Sequence, residues 1–359
     1  MKRTLSRFLP LLTLLLCLAA CERYVAPDPT VRRTVLIYME ARNNLAADAY
    51  DDIAEMKRAS IPADCRLLIY HSTQGVAPKL FEIVNGREVP LKIYPEETSA
   101  VDPAQLSSVI ASAQEFAPAQ EYGLILWSHS SGWQQSPVKV RGLGQENSSK
   151  QMSISELADA VEGFNIDFII FDTCYMGCIE VAYELRNAAR FMVASVCEVP
   201  NEGMPYDSTL PALMKPDLTN ALIETIDINH SINAPANVGG CPVTLSLIDL
   251  SKMDALAQAV KDAPLPLPDD FTPQTFSLSH PYRHLFFDFG QYYDAIGGDP
   301  DPIKAAIIHE RHSSSIWGQV RLSHCSGLSI YLPRFSPGYD FNSHGYSSLE
   351  WYKFIYSTN

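Results

Sequence analysis

The 359-residue chain is poor in basic residues. Lys and Arg together number 27 against 41 Asp and Glu, which gives a formal net charge of −14. Nonspecific nucleic-acid binding needs a basic surface, so the composition argues against a nucleic-acid partner. Internal repeats and low-complexity tracts are also lacking. With 47% hydrophobic residues the chain is expected to bury a core, in one large or two smaller domains.

Signatures of disulfide scaffolds, zinc sites and serine hydrolases are missing as well. The eight cysteines are irregularly spaced and include no Cys-x-x-Cys pair. No Gly-x-Ser-x-Gly elbow supports a serine nucleophile. No Glu-containing zinc signature accompanies the loosely grouped histidines, so we expect no metal site. These histidines are His280, His284, His309, His312 and His324.

The N-terminal apolar run is too short to span a bilayer comfortably. Met1–Arg7 is positively charged, and Phe8–Leu18 is apolar, which is the order of regions in a secretory signal. The small residues before Cys21 resemble a bacterial lipobox. We therefore expect a signal peptide at 1–20, a lipid on Cys21 and a tether at 21–33. The protein would then be exported and anchored in the cell-envelope membrane. The alternative is an ordinary secreted signal with an incidental Cys.

Short apolar runs alternate with stretches of helical spacing over the first two hundred residues. This alternation predicts an α/β protein, with a mainly parallel sheet covered by helices on both faces. We expect one catalytic core at 34–213 and a C-terminal α/β part of the same unit at 214–359. The pattern is weaker in that second part, where Ile303–His309 is predicted as a helix. The predicted core strands include Val35–Met39, Cys65–His71, Gly123–Trp127, Phe168–Phe171 and Phe191–Ser195.

Two of these strands end close to a reactive side chain. Gly123–Trp127 stops just before His129, and Phe168–Phe171 stops just before Cys174. In open α/β sheets, ligands bind at the carboxyl ends of the strands. An imidazole and a thiol at neighbouring strand ends would suffice for a thiolate nucleophile, because the imidazole can take the proton of the thiol.

These two motifs resemble those of the clostripain-like cysteine peptidases, relatives of the caspases and gingipains. The similarity extends from about residue 34 to the C-terminus and includes Val35–Leu45, Ile179–Leu185, Ala194–Tyr206 and His324–Pro333. The resemblance implies a caspase-like fold and peptide hydrolysis. It makes Cys174 the nucleophile, near the start of a helix whose dipole would lower the pKa of the thiol. It makes His129 the proton carrier, and the backbone N–H groups of Ser130 and Cys174 the oxyanion donors.

Substrate choice is implied by Asp172. Family members place an acid two residues before the nucleophile, at the floor of the pocket for the residue that precedes the scissile bond. A buried carboxylate there would favour Arg, with Lys as the alternative. Asp172 could instead cap a helix. A second acid is expected from the loop after the next strand, where we choose Glu198 over Glu202 and Asp207.

The sequence departs from the family pattern at three positions. Ser130 replaces the Gly that usually follows the catalytic His. If that position required φ > 0, Ser would cost about 1 kcal/mol more than Gly. Thr173 replaces an Ala, and Arg42 replaces an Asp in the first turn. We interpret both as secondary.

The segment 138–152 is predicted to be a surface loop between the two catalytic motifs. Family members often mature by cleavage in such a loop. Lys139, Arg141 and Lys150 supply cationic residues there, and the Arg141–Gly142 bond is our first choice for self-processing. The alternative is an ordinary exposed loop.

Together these observations predict a lipid-anchored cysteine endopeptidase that acts on polypeptides at Arg or Lys. The competing hypothesis is a non-catalytic lipoprotein that keeps the fold as a binding module. The motifs require no cofactor, and a need for calcium stays open.

Overall fold

The computed structural model of the protein describes residues 30–134, 143–146, 150–234, 242–277 and 285–356. Within these ranges the strands are β1 (Arg33–Ala41), β2 (Cys65–Thr73), β3 (Lys79–Val84), β4 (Arg87–Ile93), β5 (Glu121–Trp127), β6 (Leu143–Glu146), β7 (Lys150–Met152), β8 (Ile166–Asp172), β9 (Ala189–Ser195), β10 (Thr244–Asp249), β11 (Phe287–Asp288), β12 (Ile307–His312), β13 (Ser315–Ile316), β14 (Val320–Arg321) and β15 (Ser329–Ile330).

The helices of the described residues lie mainly between the strands. They are α1 (Ala46–Arg58), α2 (Pro103–Phe116), α3 (Ile154–Val161), α4 (Ile179–Glu184), α5 (Tyr206–Leu213), α6 (Leu218–Asn233), α7 (Met253–Lys261), α8 (Phe289–Ala295), α9 (Pro300–Ala306) and α10 (Glu350–Tyr356). None of them is both long and apolar enough to cross a membrane.

Nine strands form one central sheet in the order β12-β10-β9-β8-β5-β1-β2-β3-β4. The five central strands, from β9 to β2, run parallel to one another. The two strands at each edge are antiparallel to their neighbours. The expected α/β architecture with a mainly parallel sheet is confirmed, and antiparallel pairs close both of its edges.

Helices cover both faces of the sheet because the central strands are apolar on both sides. In β1, Val35 and Ile37 belong to the core cluster that includes residues of α1, α5 and α6. Leu36 and Tyr38 alternate with them and belong to the opposite cluster, which includes residues of α2, α3, α4, α7 and α10. Side chains at successive strand positions point to opposite faces, so a fully buried strand is apolar throughout its length.

Local turn and capping signals agree with the sequence. Asp102 caps α2 through a 2.9 Å bond from the N–H of Ala104, and a proline follows it. The β3–β4 hairpin turns at Asn85 and Gly86, which have φ of 51° and 72° as an Asn-Gly turn requires. These short-range signals are reliable because they depend on neighbouring residues alone.

The predicted helix Ile303–His309 is wrong in its second half. Helix α9 ends at Ala306, and the chain continues as the edge strand β12, which pairs with β10. The pairing with β10 decides this conformation, and a partner distant in sequence leaves no local signal. Strands β10 and β12 extend the same sheet that holds β1 to β9. The division of the chain at residue 213 stays a prediction.

Candidate active site

The parallel register brings His129 and Cys174 to one edge of the sheet. Strands β5 and β8 are neighbours, and Trp127 pairs with Asp172 at their carboxyl ends. His129 and Cys174 each follow two residues later. Both side chains line a cavity of about 550 Å³, together with Asp172 and Glu198. The structure thus gathers four of the predicted site residues around one cleft.

Asn44 holds the imidazole of His129. Its Oδ1 lies 2.9 Å from Nε2 of His129, and Asn43 shapes the turn by accepting a 2.8 Å bond from the N–H of Leu45. A proton on Nε2 would satisfy this contact and leave Nδ1 as the basic nitrogen. Burial lowers the pKa of His129, and the negative charge of Asp48 opposes that shift. The imidazole is therefore neutral at neutral pH.

The thiol of Cys174 lies in a turn that the next strand supports. The N–H of Tyr175 donates to Cys197 at 2.9 Å, and that of Gly177 donates to Ser195 at 2.7 Å. Sγ of Cys174 accepts a 3.4 Å bond from the N–H of Val199. In the described part of the chain, no hydrogen bond joins Cys174 to His129.

The pKa of Cys174 is raised, contrary to our expectation. Burial raises it to about 11, the N–H of Val199 opposes the shift, and the charges of Glu198 and Asp172 add to it. The expected helix dipole does not act here, because α4 begins only at Ile179, with Cys178 as its N-cap. The resting thiol is therefore protonated at neutral pH.

Asp172 is buried under the cleft and does not cap a helix. Its Oδ2 accepts bonds from the N–H of Met204 at 3.1 Å and from the hydroxyl of Tyr206 at 2.8 Å. Gly203 has φ +56°, and a Cβ there would lie 2.7 Å from Oδ2, so only glycine fits. Burial raises the pKa of Asp172 to about 6, the donors Tyr206 and Met204 oppose the shift, and the charge of Glu55 adds to it. The carboxylate is therefore ionised at neutral pH.

Two further acids from α1 lie behind Asp172, and the sequence analysis missed both. Asp52 accepts a 2.7 Å bond from Nε1 of Trp127, and Glu55 accepts a 3.0 Å bond from the N–H of Tyr206. Burial and then the charge of Asp172 raise the pKa of Asp52 to about 9, against the bond from Trp127. Two buried acids thus differ in ionisation at neutral pH, with Asp172 charged and Asp52 neutral.

Glu198 also lines the cleft. Its Oε2 accepts a 2.6 Å bond from Nε1 of Trp317, which sits at the tip of the β13–β14 hairpin with φ of 49°. The other candidates for a second acid, Glu202 and Asp207, do not line the cavity. Asp207 instead contacts Arg58 at 3.3 Å.

Two of the three departures from the family pattern, Ser130 and Arg42, make side-chain contacts in the structure. Ser130 does not have a positive φ, so the conformational cost that we considered does not arise. Its hydroxyl donates to the backbone carbonyl of Cys174, which links the two motifs. Arg42 pairs with Glu146 at 3.5 Å. Nothing in the structure explains Thr173, whose buried hydroxyl has no hydrogen-bond partner among the described residues.

Two of the predicted processing residues, Lys139 and Arg141, and the predicted lipid-bearing Cys21 lie outside the described residues. The segment 138–152 is not wholly irregular as predicted, because β6 and β7 pair within it. The N–H of Gly144 donates to the carbonyl of His129 at 2.9 Å, so this segment adjoins the cleft.

Comparison with known proteins gives one consistent answer. A family model described as the clostripain family matches residues 37–270. Clostripain from Hathewaya histolytica is 27% identical over 213 residues, which are 48% of this chain and 40% of that protein. The match therefore spans less than half of that relative.

Solved structures agree with this match. An inactive zymogen protease from Parabacteroides distasonis is 26% identical with a TM-score of 0.78, over 92% of this chain and 99% of that chain. A secreted cysteine protease from Bacteroides thetaiotaomicron, in complex with an irreversible peptide inhibitor, is 24% identical with a TM-score of 0.77. That likeness covers 90% of this chain and 98% of the other, and it shows the shared fold.

Proposed function

The chain belongs to the clostripain family of cysteine peptidases, and we propose that it is an endopeptidase that cleaves polypeptides after Arg through Cys174 and His129. One observation supports this most strongly. The cleft between the ends of β5 and β8 contains a thiol and an imidazole above a buried carboxylate that is ionised at neutral pH. A nucleophile, a base and a binding site for a cation are thus next to one another.

Attack by Cys174 requires its proton to leave. Burial raises the pKa of the thiol, and the negative charges of Glu198 and Asp172 add to the shift, so a cationic substrate side chain that offsets these charges would favour the thiolate. His129 takes the proton through Nδ1 as the sulfur–carbon bond forms, and gives it to the leaving amine as the carbon–nitrogen bond breaks. Water then hydrolyses the thioester. The backbone N–H groups of Ser130 and Cys174 would stabilise the oxyanion.

Selection of Arg would follow from the position of the Asp172 carboxylate in the cleft. Oδ2 of Asp172 is already held by Met204 and Tyr206, which fixes the carboxylate. A guanidinium spreads its N–H groups in a plane, so it can donate to Oδ1 of Asp172 and still has donors for Glu198, which lines the same cavity. Lys would offer a single ammonium group and is the weaker candidate.

The binding-module alternative has one observation in its favour, the protonated resting thiol without a bond to His129. Labelling with an Arg chloromethylketone separates the two functions. A catalytic Cys174 is alkylated in the wild type and not after His129→Ala, whereas a binding module stays unlabelled in both. A neutral Leu chloromethylketone is the matched probe, and we expect much slower labelling with it.

We also propose self-processing at the Arg141–Gly142 bond. The segment adjoins the cleft through Gly144 and His129, and the relative from Parabacteroides distasonis is described as an inactive zymogen. Intact-protein mass spectrometry should show two fragments for the wild type. Cys174→Ala and Arg141→Ala should each remain a single chain, and cleavage that persists in Cys174→Ala would assign it to another protease.

Export and lipid anchoring through Cys21 complete the proposal. The relative from Bacteroides thetaiotaomicron is described as secreted, and the N-terminal motif is of the lipobox type. Cys21→Ser should move the protein from the membrane fraction to the soluble exported fraction. Unchanged membrane association would contradict the anchor without affecting the peptidase assignment.

A further inference from the structure

A cluster of metal-binding side chains lies at the base of the hairpin that carries Trp317. Glu310 and His312 are two residues apart on β12, so they share one face of the strand, and Cys325 follows β14. A carboxylate oxygen, an imidazole nitrogen and the sulfur of these residues lie within 4.8 Å of one another. We propose that these three residues bind a divalent cation of the zinc type.

The donor set determines which cation fits. Thiolate, imidazole and carboxylate are all ligands of Zn²⁺, and three protein ligands with a solvent molecule complete a tetrahedron. Ca²⁺ and Mg²⁺ prefer oxygen donors alone, so a sulfur ligand disfavours them. The side chains of Glu310 and His312 are 31% and 32% exposed, and Oε2 of Glu310 lies 2.9 Å from Nδ1 of His312, so a cation would replace this contact.

The fold brings Cys325 to the strand by a close backbone approach. Gly327 has φ +95°, and a Cβ there would lie 3.0 Å from Cβ of Ser246 and 3.4 Å from Cβ of Glu310. Only glycine allows this contact without displacement. Asp288 accepts a 2.6 Å bond from the N–H of Ser326, which places a further carboxyl group beside the residue that follows Cys325 in the chain. The surroundings therefore favour a cation.

A bound cation would close the hairpin at its base. The loop from His312 to Cys325 has Trp317 at its tip, where Nε1 bonds to Glu198 in the cleft. Beyond Cys325 the chain reaches Ser329, whose N–H donates to Gly177 at 2.9 Å, in the turn that follows Cys174. Joining the two ends of a loop reduces its freedom to open. On the proposed function, the cation would thus stabilise one wall of the substrate cleft.

Spacing in sequence conceals this site. His309 and His312 have a spacing of three, which suggests a shared face only on a helix. On the strand they point to opposite sides, and His309 bonds instead to Asp227 at 2.8 Å. His309 is therefore the natural control for His312.

The test uses the full chain with Cys174→Ala, which removes the thiol of the cleft as a competing ligand. Co²⁺ serves as the probe, because thiolate ligation gives it a charge-transfer absorption. We expect one equivalent to bind, Zn²⁺ to displace it, and Zn²⁺ to raise the melting temperature. Cys325→Ser and His312→Ala should each weaken binding by more than about tenfold, since loss of even a supporting group costs that much. The matched controls Cys65→Ser and His309→Ala should bind normally.

Melting temperatures measured without metal show whether each variant is folded. When Zn²⁺ is added, hydrogen exchange of residues 313–324 should slow. Three results would overturn the proposal. They are absorption that persists in Cys325→Ser, no absorption in the Cys174→Ala chain, and unchanged exchange of the hairpin at saturating Zn²⁺. None of these readouts depends on peptidase activity, so they stand apart from the test of the proposed function.

Discussion

The two walls of the cleft are built in different ways. One wall, which we call the strand-end wall, consists of His129, Asp172 and Cys174 at the ends of the parallel strands β5 and β8. The other, the loop wall, consists of Glu198 and Trp317, from the segment after β9 and the tip of a hairpin of two-residue strands. Parallel pairing of β5 and β8 fixes the first wall. The second wall depends on contacts between loops, because Nε1 of Trp317 bonds to Glu198 and the N–H of Val199 ties the segment of Glu198 to Cys174. We therefore assign the chemistry and the main charge to the strand-end wall, and adjustment of affinity to the loop wall.

Removing the nucleophile from the strand-end wall should cause the largest loss of activity. Cys174→Ala should lower kcat/KM for Arg amides by more than about a thousandfold, because no other group of the cleft replaces the thiolate. Cys65→Ala, at a thiol on β2, is the control and should keep full activity. Turnover by Cys174→Ala near the wild-type rate would remove the nucleophile from the strand-end wall.

The second-largest effect is expected from pH, because acidification should weaken the selection for Arg. The carboxylate of Asp172 has a pKa of about 6, so its charge is present above that pH and declines by about tenfold for each pH unit below it. The ratio of kcat/KM for Arg and Leu substrates should therefore fall about tenfold between pH 7.5 and 5. Titration of His129 and Cys174 affects both substrates and largely cancels in the ratio. A ratio that stays constant with pH would place the selecting charge elsewhere.

A change in the loop wall should have a smaller effect. Glu198→Gln keeps an oxygen that can accept from Trp317 and removes one charge at the partly open rim. Such a charge is worth about 1 kcal/mol, so kcat/KM for Arg substrates should fall about fivefold, through KM. Glu202→Gln, on the same segment but outside the cavity, should change nothing. A hundredfold loss after Glu198→Gln would contradict the comparison, because the loop wall would then contribute as much to Arg selection as the strand-end wall.

Loosening His129 should have the smallest effect. Asn44→Ala removes the 2.9 Å contact to Nε2, and a hydrogen bond of this kind contributes about 1 kcal/mol. We expect kcat to fall up to about fivefold with little change in KM. Asn44→Gln, which keeps an amide but moves it, tests whether position matters. A change in KM alone would show that Asn44 binds substrate and does not orient the base.

The strand-end wall was predictable because its signals are local. An apolar run that stops at a polar residue marks the end of a buried strand, and parallel pairing then gathers such ends. The role of Asp172 came from the family resemblance, and the geometry removed the helix-cap alternative. Asn44 was visible only as part of a turn, since its contact with His129 spans 85 positions.

The loop wall and the buried acids were harder to predict from the sequence. Trp317 could not be distinguished from core aromatics, because β13 and β14 are two residues long and carry no periodicity. Asp52 left a weak signal that we overlooked. It lies on the buried face of α1 with Ala49, Ile53 and Met56, where a solvated acid would not be expected. The raised pKa of Cys174 depends on burial by residues distant in sequence, and the motif alone suggested the opposite direction.

Stability provides a check on any variant of Asp172. Burial raises its pKa from about 3.8 to about 6, so the folded state binds the proton more tightly than the unfolded chain does. Stability from this group is therefore full below about pH 3.8 and is lost as the pH rises through about 6. At pH 8, Asp172→Asn should therefore be at least as stable as the wild type. Its gain in free energy of unfolding should be on the order of 3 kcal/mol at most. Unfolding in denaturant at pH 4 and pH 8 measures the difference.

The central claim is that one ionised carboxylate under the strand-end wall selects the substrate. The most direct measurement is the ratio of kcat/KM for matched Arg and Leu peptides at pH 7.5, in the wild type, Asp172→Asn and Asp52→Asn. Both variants replace a buried acid by its amide, but only Asp172 is charged at this pH. We predict that Asp172→Asn lowers the ratio by about a hundredfold or more, since an unpaired buried cation costs about 3–5 kcal/mol, and that Asp52→Asn leaves it within about threefold. An equal fall in both variants, or an unchanged ratio in Asp172→Asn, would contradict the account.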